Sequence, residues 1–335
     1  MSRGAWFGAV ALVLVVAVAG VLVGQVAVPL DEVSQVIATH LFGTTPDAGR
    51  MAEQIVWDVR LPRVLAGIVV GIALAVTGVV IQAVVRNPLG DAYVIGVTPG
   101  ASLGAVAAIV LLGAGSLGIT TAAFTGAIAA FLVIIALARR GRGWMPGRVI
   151  LSGVAIGYLL GAATYFLQIM ATPTQLQRAL FWTLGSVAGV GWDDLPPLVI
   201  VTALGCGWML VRARWLDALA AGPELARSQG VPVGRFQLEL MGIAALITAC
   251  VVAAVGGIGF VGLVIPHAAR FLVGAAHRRV LPASLLLGAA FLPAADILAR
   301  TLLAPTELPI GIITAAVGAP LFIAQLARTD RGAPV

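Results

Sequence analysis

About ten apolar stretches approach the roughly 20 residues that a helix needs to cross the bilayer core, and they fill most of this 335-residue chain. The first runs from about Ala5 to Pro29; the rest lie near residues 61–84, 91–113, 116–138, 148–171, 194–212, 236–255, 258–274, 281–303 and 309–327. Hydrophobic residues make up 60% of the chain and charged residues 10%, against about half and a quarter in soluble domains. In lipid every backbone N–H and C=O must be satisfied within the segment, which favours helices. The expectation is an all-α polytopic membrane protein, with residues 1–335 as a single transmembrane domain, about ten transmembrane helices, and several helices short or broken.

All 20 basic residues are arginine; there is no lysine. A P-loop needs its lysine at the nucleotide phosphates, and Schiff-base chemistry needs one as nucleophile. Any ATP that drives this chain is therefore hydrolysed by another. The net charge of +6 does not point to nucleic acid, because the arginines are scattered between apolar spans. Placing the N-terminus inside and alternating leaves Arg3, Arg86, Arg139, Arg140, Arg142, Arg148, Arg212, Arg214, Arg227, Arg235, Arg270, Arg278, Arg279, Arg328 and Arg331 on the cytoplasmic side. Arg50, Arg60, Arg63, Arg178 and Arg300 fall outside. This bias predicts an N-in, C-in topology. The first span resembles a signal peptide, with Arg3 ahead of it and "AVAG" at 17–20, but its apolar run continues to Leu30 and is read as a retained span.

No catalytic constellation is present: no HExxH, no paired carboxylates, no nucleophile with a base. Cys206 and Cys250 sit inside apolar runs without a CxxC, and His40, His267 and His277 lack metal-ligand spacing. No metal site and no cofactor is expected in the chain.

Three segments depart from plain spanning helix. In "LDALAAGPELARSQGVPVGRF", Gly222 can stop one short helix, Pro223 suits the first turn of the next, Glu224 favours its N-terminus and Gly230 can end it. A cytoplasmic loop of about 214–235 thus carries two short helices. In "RNPLGDAYVIGVTPGASLGA", Asn87-Pro88 breaks the second span, and Thr98-Pro99-Gly100 falls inside the next apolar stretch, with Ser102 one turn on. Irregular backbone at membrane depth survives only where protein or a water-filled cavity covers it. In "GGIGFVGLVIPHAARF", Gly256, Gly257 and Gly259 form a turn, Pro266 kinks a short returning helix, and His267 and Arg270 share a face. Elsewhere, Gly67, Gly71 and Gly78 form a small-residue stripe read as packing.

Together "RLPRVLAGIVVGIALAVTGVVIQAVVRNPLGD", "LFWTLGSVAGVGWDDL", "GGIGFVGLVIPHAARFLVG", "HRRVLP" and "ADILARTLLAPTELPIGIITAAVGAPLFI" resemble the permease family of ABC importers for iron chelates, haem and vitamin B12. The likeness runs in order from about Val56 to Arg328. It implies a ten-helix subunit paired with a second permease subunit, identical or related, in the bacterial cytoplasmic membrane. It further implies two cytoplasmic ATPase subunits, which hold the ATP and Mg, and a periplasmic or lipid-anchored substrate-binding protein. The E-x-A-x-x-x-G spacing of Glu224, Ala226 and Gly230, with Leu225 and Arg227 between, resembles a degenerate form of the ATPase-docking motif. By the same resemblance Arg60, Arg63 and Arg300 are expected to be exposed and to meet carboxylates of the binding protein. Gln82, Asn87, Pro88, Thr98, Pro99, Gly100, Ser102, Gln168, Met170, Gly256, Gly257, Gly259, Pro266, His267 and Arg270 are the pathway or gate candidates. The chain departs from the family pattern at Ala276, where aspartate often precedes the histidine, and at "GDAY" and "GPELA".

A ferric siderophore is the expected cargo, as the commonest class for such permeases, with haem and cobalamin as alternatives. A secondary transporter would need a coupling-ion site. The one carboxylate deep in a span, Asp296, lies four residues before Arg300, where a local ion pair accounts for it.

Overall fold

The computed structural model describes residues 3–43, 49–139 and 146–329. Arg140, Arg142 and Arg331 of the cytoplasmic arginine set lie outside the described residues. Every regular element among the described residues is helical: α1 (Arg3–Leu22), α2 (Leu30–Phe42), α3 (Arg50–Glu53), a π-helical segment (Gln54–Arg60), α4 (Leu61–Val85), α5 (Val97–Leu111), α6 (Ser116–Ala138) and α7 (Pro146–Ile169). Then follow α8 (Pro173–Leu184), a 3-10 turn (Trp192–Asp194), α9 (Leu195–Val211), α10 (Ala213–Ala221), α11 (Pro223–Ser228), α12 (Val233–Val255), α13 (Val261–Val273), α14 (His277–Thr301) and α15 (Ile310–Thr329). Seven helical runs among the described residues are long and apolar enough to cross a membrane, and α5, α13 and the described part of α15 are shorter apolar helices. The chain is a multi-pass helical membrane protein.

Helix α4 is the centre of the bundle, buried along nearly its whole length and packed by α9, α12, α13 and α14. The glycine stripe explains how neighbours come so close. A Cβ on Gly71 would overlap the Gly288 carbonyl of α14, one on Gly78 would overlap the Gly262 carbonyl of α13, and one on Gly67 would press on Pro293. Pair α5–α6 repeats the device, with Gly100 against Gly126 and Gly104 against the Ala122 carbonyl. Because lipid is as apolar as the side chains, such helices associate by close packing rather than by hydrophobic burial. Gly71→Val is expected to destabilise the folded chain by about 1–3 kcal/mol or more, read as a lower unfolding midpoint in detergent. An unchanged midpoint would mean that α4 and α14 are not in backbone contact.

Two helices have no counterpart in the apolar-run reading, because both are short and amphipathic. Helix α2 buries Val33 and Val36 and ends at Gly43 in a left-handed conformation. Its His40 stacks on Trp57 with ring centroids 3.9 Å apart and reaches Glu53 at 3.0 Å. Helix α8 opens on a capping box, in which Thr172 and Gln175 satisfy each other's backbone N–H groups. Residues 91–96, expected at the start of the third span, instead form turns stabilised by Asp91, whose Oδ1 accepts the Tyr93 and Val94 N–H groups.

Candidate functional site

Two of the irregular segments meet at one junction. Helix α12 ends at Gly256, with φ 75° and ψ −169°, a region open essentially to glycine alone. A Cβ here would overlap the Trp182 carbonyl, and one on Gly257 would lie 2.8 Å from the Thr183 carbonyl and 3.3 Å from Thr98 Cγ2. One on Gly311 would overlap the Leu184 carbonyl. Backbone bonds stitch the same place: the Ser186 N–H donates to the Val255 carbonyl at 2.8 Å, and the Ile310 N–H to the Gly185 carbonyl at 3.0 Å. The starts of α5 and α15, the end of α8 and the α12–α13 turn thus converge on glycines. Phe260, at φ 67°, caps the start of α13 and lies against Gly318 of α15.

The other pathway candidates do not all join this junction. Pro99 and Gly100 are buried in the first turn of α5 and Ser102 is half-buried one turn on. Gln82, read as pathway-facing, is 4% exposed, and its Nε2 donates to the Gly262 carbonyl at 3.1 Å. It ties α4 to α13. Asn87 closes a tight turn, its Oδ1 accepting the Leu89 N–H at 2.9 Å ahead of which Arg86 ends α4 with φ 52°. Pro88 follows in the same turn. Gln168 is half-buried in the last turn of α7, and Met170 is exposed just beyond it. Pro266 is buried within α13, His267 meets the Phe322 ring edge-on at 6.4 Å, and Arg270 is half-buried. Gly259 has open space around it.

The three arginines expected to be exposed are buried: Arg60 is 4% exposed, Arg63 6% and Arg300 3%. This corrects the premise of their docking role, and the reason is local. A helix leaves its last carbonyls without intrahelical partners, and α1 ends between these residues. Arg60 donates to the Val21, Leu22 and Val26 carbonyls, and Arg300 Nη2 to the Gly20 carbonyl at 2.7 Å. Positive charge at a helix C-terminus also suits its dipole. Arg63 forks onto two carboxylates, Asp296 at 2.9 Å and Glu307 at 3.0 Å. Asp296 in turn lies 3.5 Å from Arg300 Nε, so the expected local pair exists but is one edge of a network. Glu307, 34% exposed at its side chain, is the open edge of the cluster.

At another place the paired short helices form as the glycine and proline positions predict. Gly222, at φ 132°, separates α10 from α11, Pro223 opens α11, and Gly230 follows its end at φ 77°. Leu216, Leu219 and Ala226 are fully buried. Glu224 and Arg227 form an exposed ion pair, their side chains 89% and 58% accessible, and Leu225 is exposed beside them. Among the described residues no three His, Cys, Asp or Glu side chains are grouped as metal donors.

Glycine-packed spans, a broken-helix junction and a short helix pair between α9 and α12 are together the architecture of a multi-pass helical membrane protein. The chain matches the FecCD transport family over residues 12–328, and it belongs to that family. It is 43% identical over 272 residues to the cobalamin import system permease protein BtuC of Halobacterium salinarum, covering 81% of this chain and 73% of that protein. It is 36% identical to the vitamin B12 import system permease protein BtuC of Klebsiella pneumoniae, covering 82% of each. The uncharacterized ABC transporter permease protein YvrB of Bacillus subtilis is 36% identical over 320 residues, covering 93% of this chain and 90% of that one. A solved structure described as an inward-facing ABC transporter of metal-chelate type superposes with a TM-score of 0.84 at 31% identity, covering 96% of this chain and 98% of the other.

Proposed function

We propose that this chain is the pathway-forming permease subunit of an ATP-driven importer, and that its cargo is cobalamin or a closely related corrinoid. The observation that carries the first part is the FecCD match across residues 12–328, which takes in the α10–α11 pair. Relatives named for cobalamin or vitamin B12 import favour a corrinoid over the ferric siderophore that the sequence alone suggested. In this reading the subunit crosses the cytoplasmic membrane ten times with both termini inside and pairs with a second permease subunit. The exposed edge of α11, around Glu224, Leu225 and Arg227, docks a cytoplasmic ATPase that holds ATP and Mg. A substrate-binding protein docks at the opposite end, where Arg60, Arg63 and Arg300 shape the surface from beneath and Glu307 is half-buried at its edge. Secondary transport is the weaker reading, because Asp296 is already engaged by Arg63 and Arg300.

The cargo is tested by ATPase stimulation. The permease is purified with its ATPase and mixed with binding protein loaded with cobalamin, a ferric siderophore or haem. Stimulation by the cobalamin-loaded form alone is the expected result. Stimulation by the siderophore- or haem-loaded form alone would overturn the cargo assignment while leaving the importer reading intact.

A further inference from the structure

Helix α14 is capped from another element. Its N-cap position is held by Ala276, which makes no side-chain cap hydrogen bond. Serine, threonine, aspartate or asparagine would ordinarily accept a free N–H of the first turn there. The acceptor comes instead from Asp217 of α10. Its Oδ1 accepts the His277 backbone N–H at 2.6 Å and meets His277 Nδ1 at 2.9 Å, while Oδ2 lies 3.8 Å from Arg278 Nε. An ionised carboxylate only accepts, so Nδ1 carries the proton in this contact. The His277 side chain is nearly buried, and that of Asp217 is 30% accessible.

We propose that Asp217 is a positioning residue that carries movement of the α10–α11 pair into α14. This rests on the reading of that pair as the ATPase-docking element. Three observations support it. The buried face of α10 is Ala213, Leu216, Ala218 and Leu219, and apolar contact is non-directional, so it lets a short helix slide over its neighbours. Asp217 supplies what that face lacks, charge-assisted bonds of fixed geometry. Second, α14 is 25 residues long, about 37 Å at the usual helical rise. Its far end bears Asp296 and Arg300, which hold Arg63 of α4 and the last turn of α1. One helix is thus clasped by charge at both ends, joining the docking pair to the arginine cluster. Third, capping of the first turn does not require α10, since an aspartate at position 276 would accept from the Arg278 or Arg279 N–H from within α14.

That third point supplies the test. The importer is reconstituted with its ATPase and binding protein, and the unfolding midpoint, ATP hydrolysis and uptake per ATP are measured for wild type, D217A and D217A/A276D. D217A is expected to lower uptake per ATP about ten-fold, a coupling of ordinary size, while ATP hydrolysis persists. D217A/A276D is expected to regain part of the midpoint lost in D217A, because an aspartate at 276 accepts from the Arg278 or Arg279 N–H, without regaining uptake per ATP. Recovery of both in the double variant would reduce Asp217 to a cap and overturn the proposal, as would unchanged uptake per ATP in D217A. If D217A does not accumulate, the double variant, with α14 capped, gives the same comparison alone. Failure of the importer reading looks different: the wild-type protein itself would show no dependence of uptake on ATP.

Discussion

Replacing Arg63 with alanine is expected to destabilise the folded chain by about 3–5 kcal/mol, the usual consequence of removing one partner of a buried ion pair. The guanidinium bridges Asp296 and Glu307, at 2.9 and 3.0 Å. Without it the Asp296 carboxylate, nearly inaccessible, keeps among the described residues the longer contact to Arg300 at 3.5 Å. Glu307→Ala is expected to be far milder, about 1 kcal/mol or less, because that carboxylate is partly solvated. Unfolding midpoints in detergent check both. A small loss for Arg63→Ala, no greater than for Glu307→Ala, would show that the cluster does not hold α4, α14 and the segment after α14 together.

Gly256→Val is the second large effect. Two costs combine at this position. The backbone sits at φ 75° and ψ −169°, which costs a non-glycine residue about 1–3 kcal/mol. The new side chain must also displace the Trp182 carbonyl, and overpacking of that kind costs about 1–3 kcal/mol more. The turn lies beside the Ser186–Val255 and Ile310–Gly185 backbone bonds, so the strain reaches α8, α12 and α15 together. The expected result is a chain that fails to accumulate, or accumulates with a much lower midpoint. Gly259→Val, where a Cβ meets nothing, is the matched control and is expected to be close to neutral in stability. Equal loss at both positions would contradict the packing described at the junction.

Much of the architecture was legible in the sequence, for a physical reason. Long apolar runs need no partner to be read, since lipid imposes helix on each of them. The α10–α11 break was likewise written locally, in Gly222, Pro223 and Gly230. Helices α2 and α8 were not, because each shows only a short amphipathic stripe, and the partners of their polar residues, Trp57 for His40 and the Ile109 and Val110 carbonyls for Gln175, lie on other elements. The arginines were misjudged for a related reason. A charge near the end of a span reads as exposed until the end of another helix is known to need it, and α1 is 38 or more residues away from Arg60 in sequence. Gln82 shows the same limit: its partner, Gly262, is 180 residues distant. The Ala276 departure could be noticed in sequence, but the carboxylate that compensates for it, Asp217, is 60 residues upstream.

Under the proposed function this chain moves its cargo only as part of an ATP-driven assembly. The most direct measurement is cobalamin uptake into proteoliposomes holding the permease with its ATPase, with loaded binding protein outside and ATP either enclosed or omitted. The expected result is uptake that requires enclosed ATP, the ATPase and the binding protein together. Uptake that proceeds equally without ATP or without the ATPase would contradict it and make the chain a carrier in its own right.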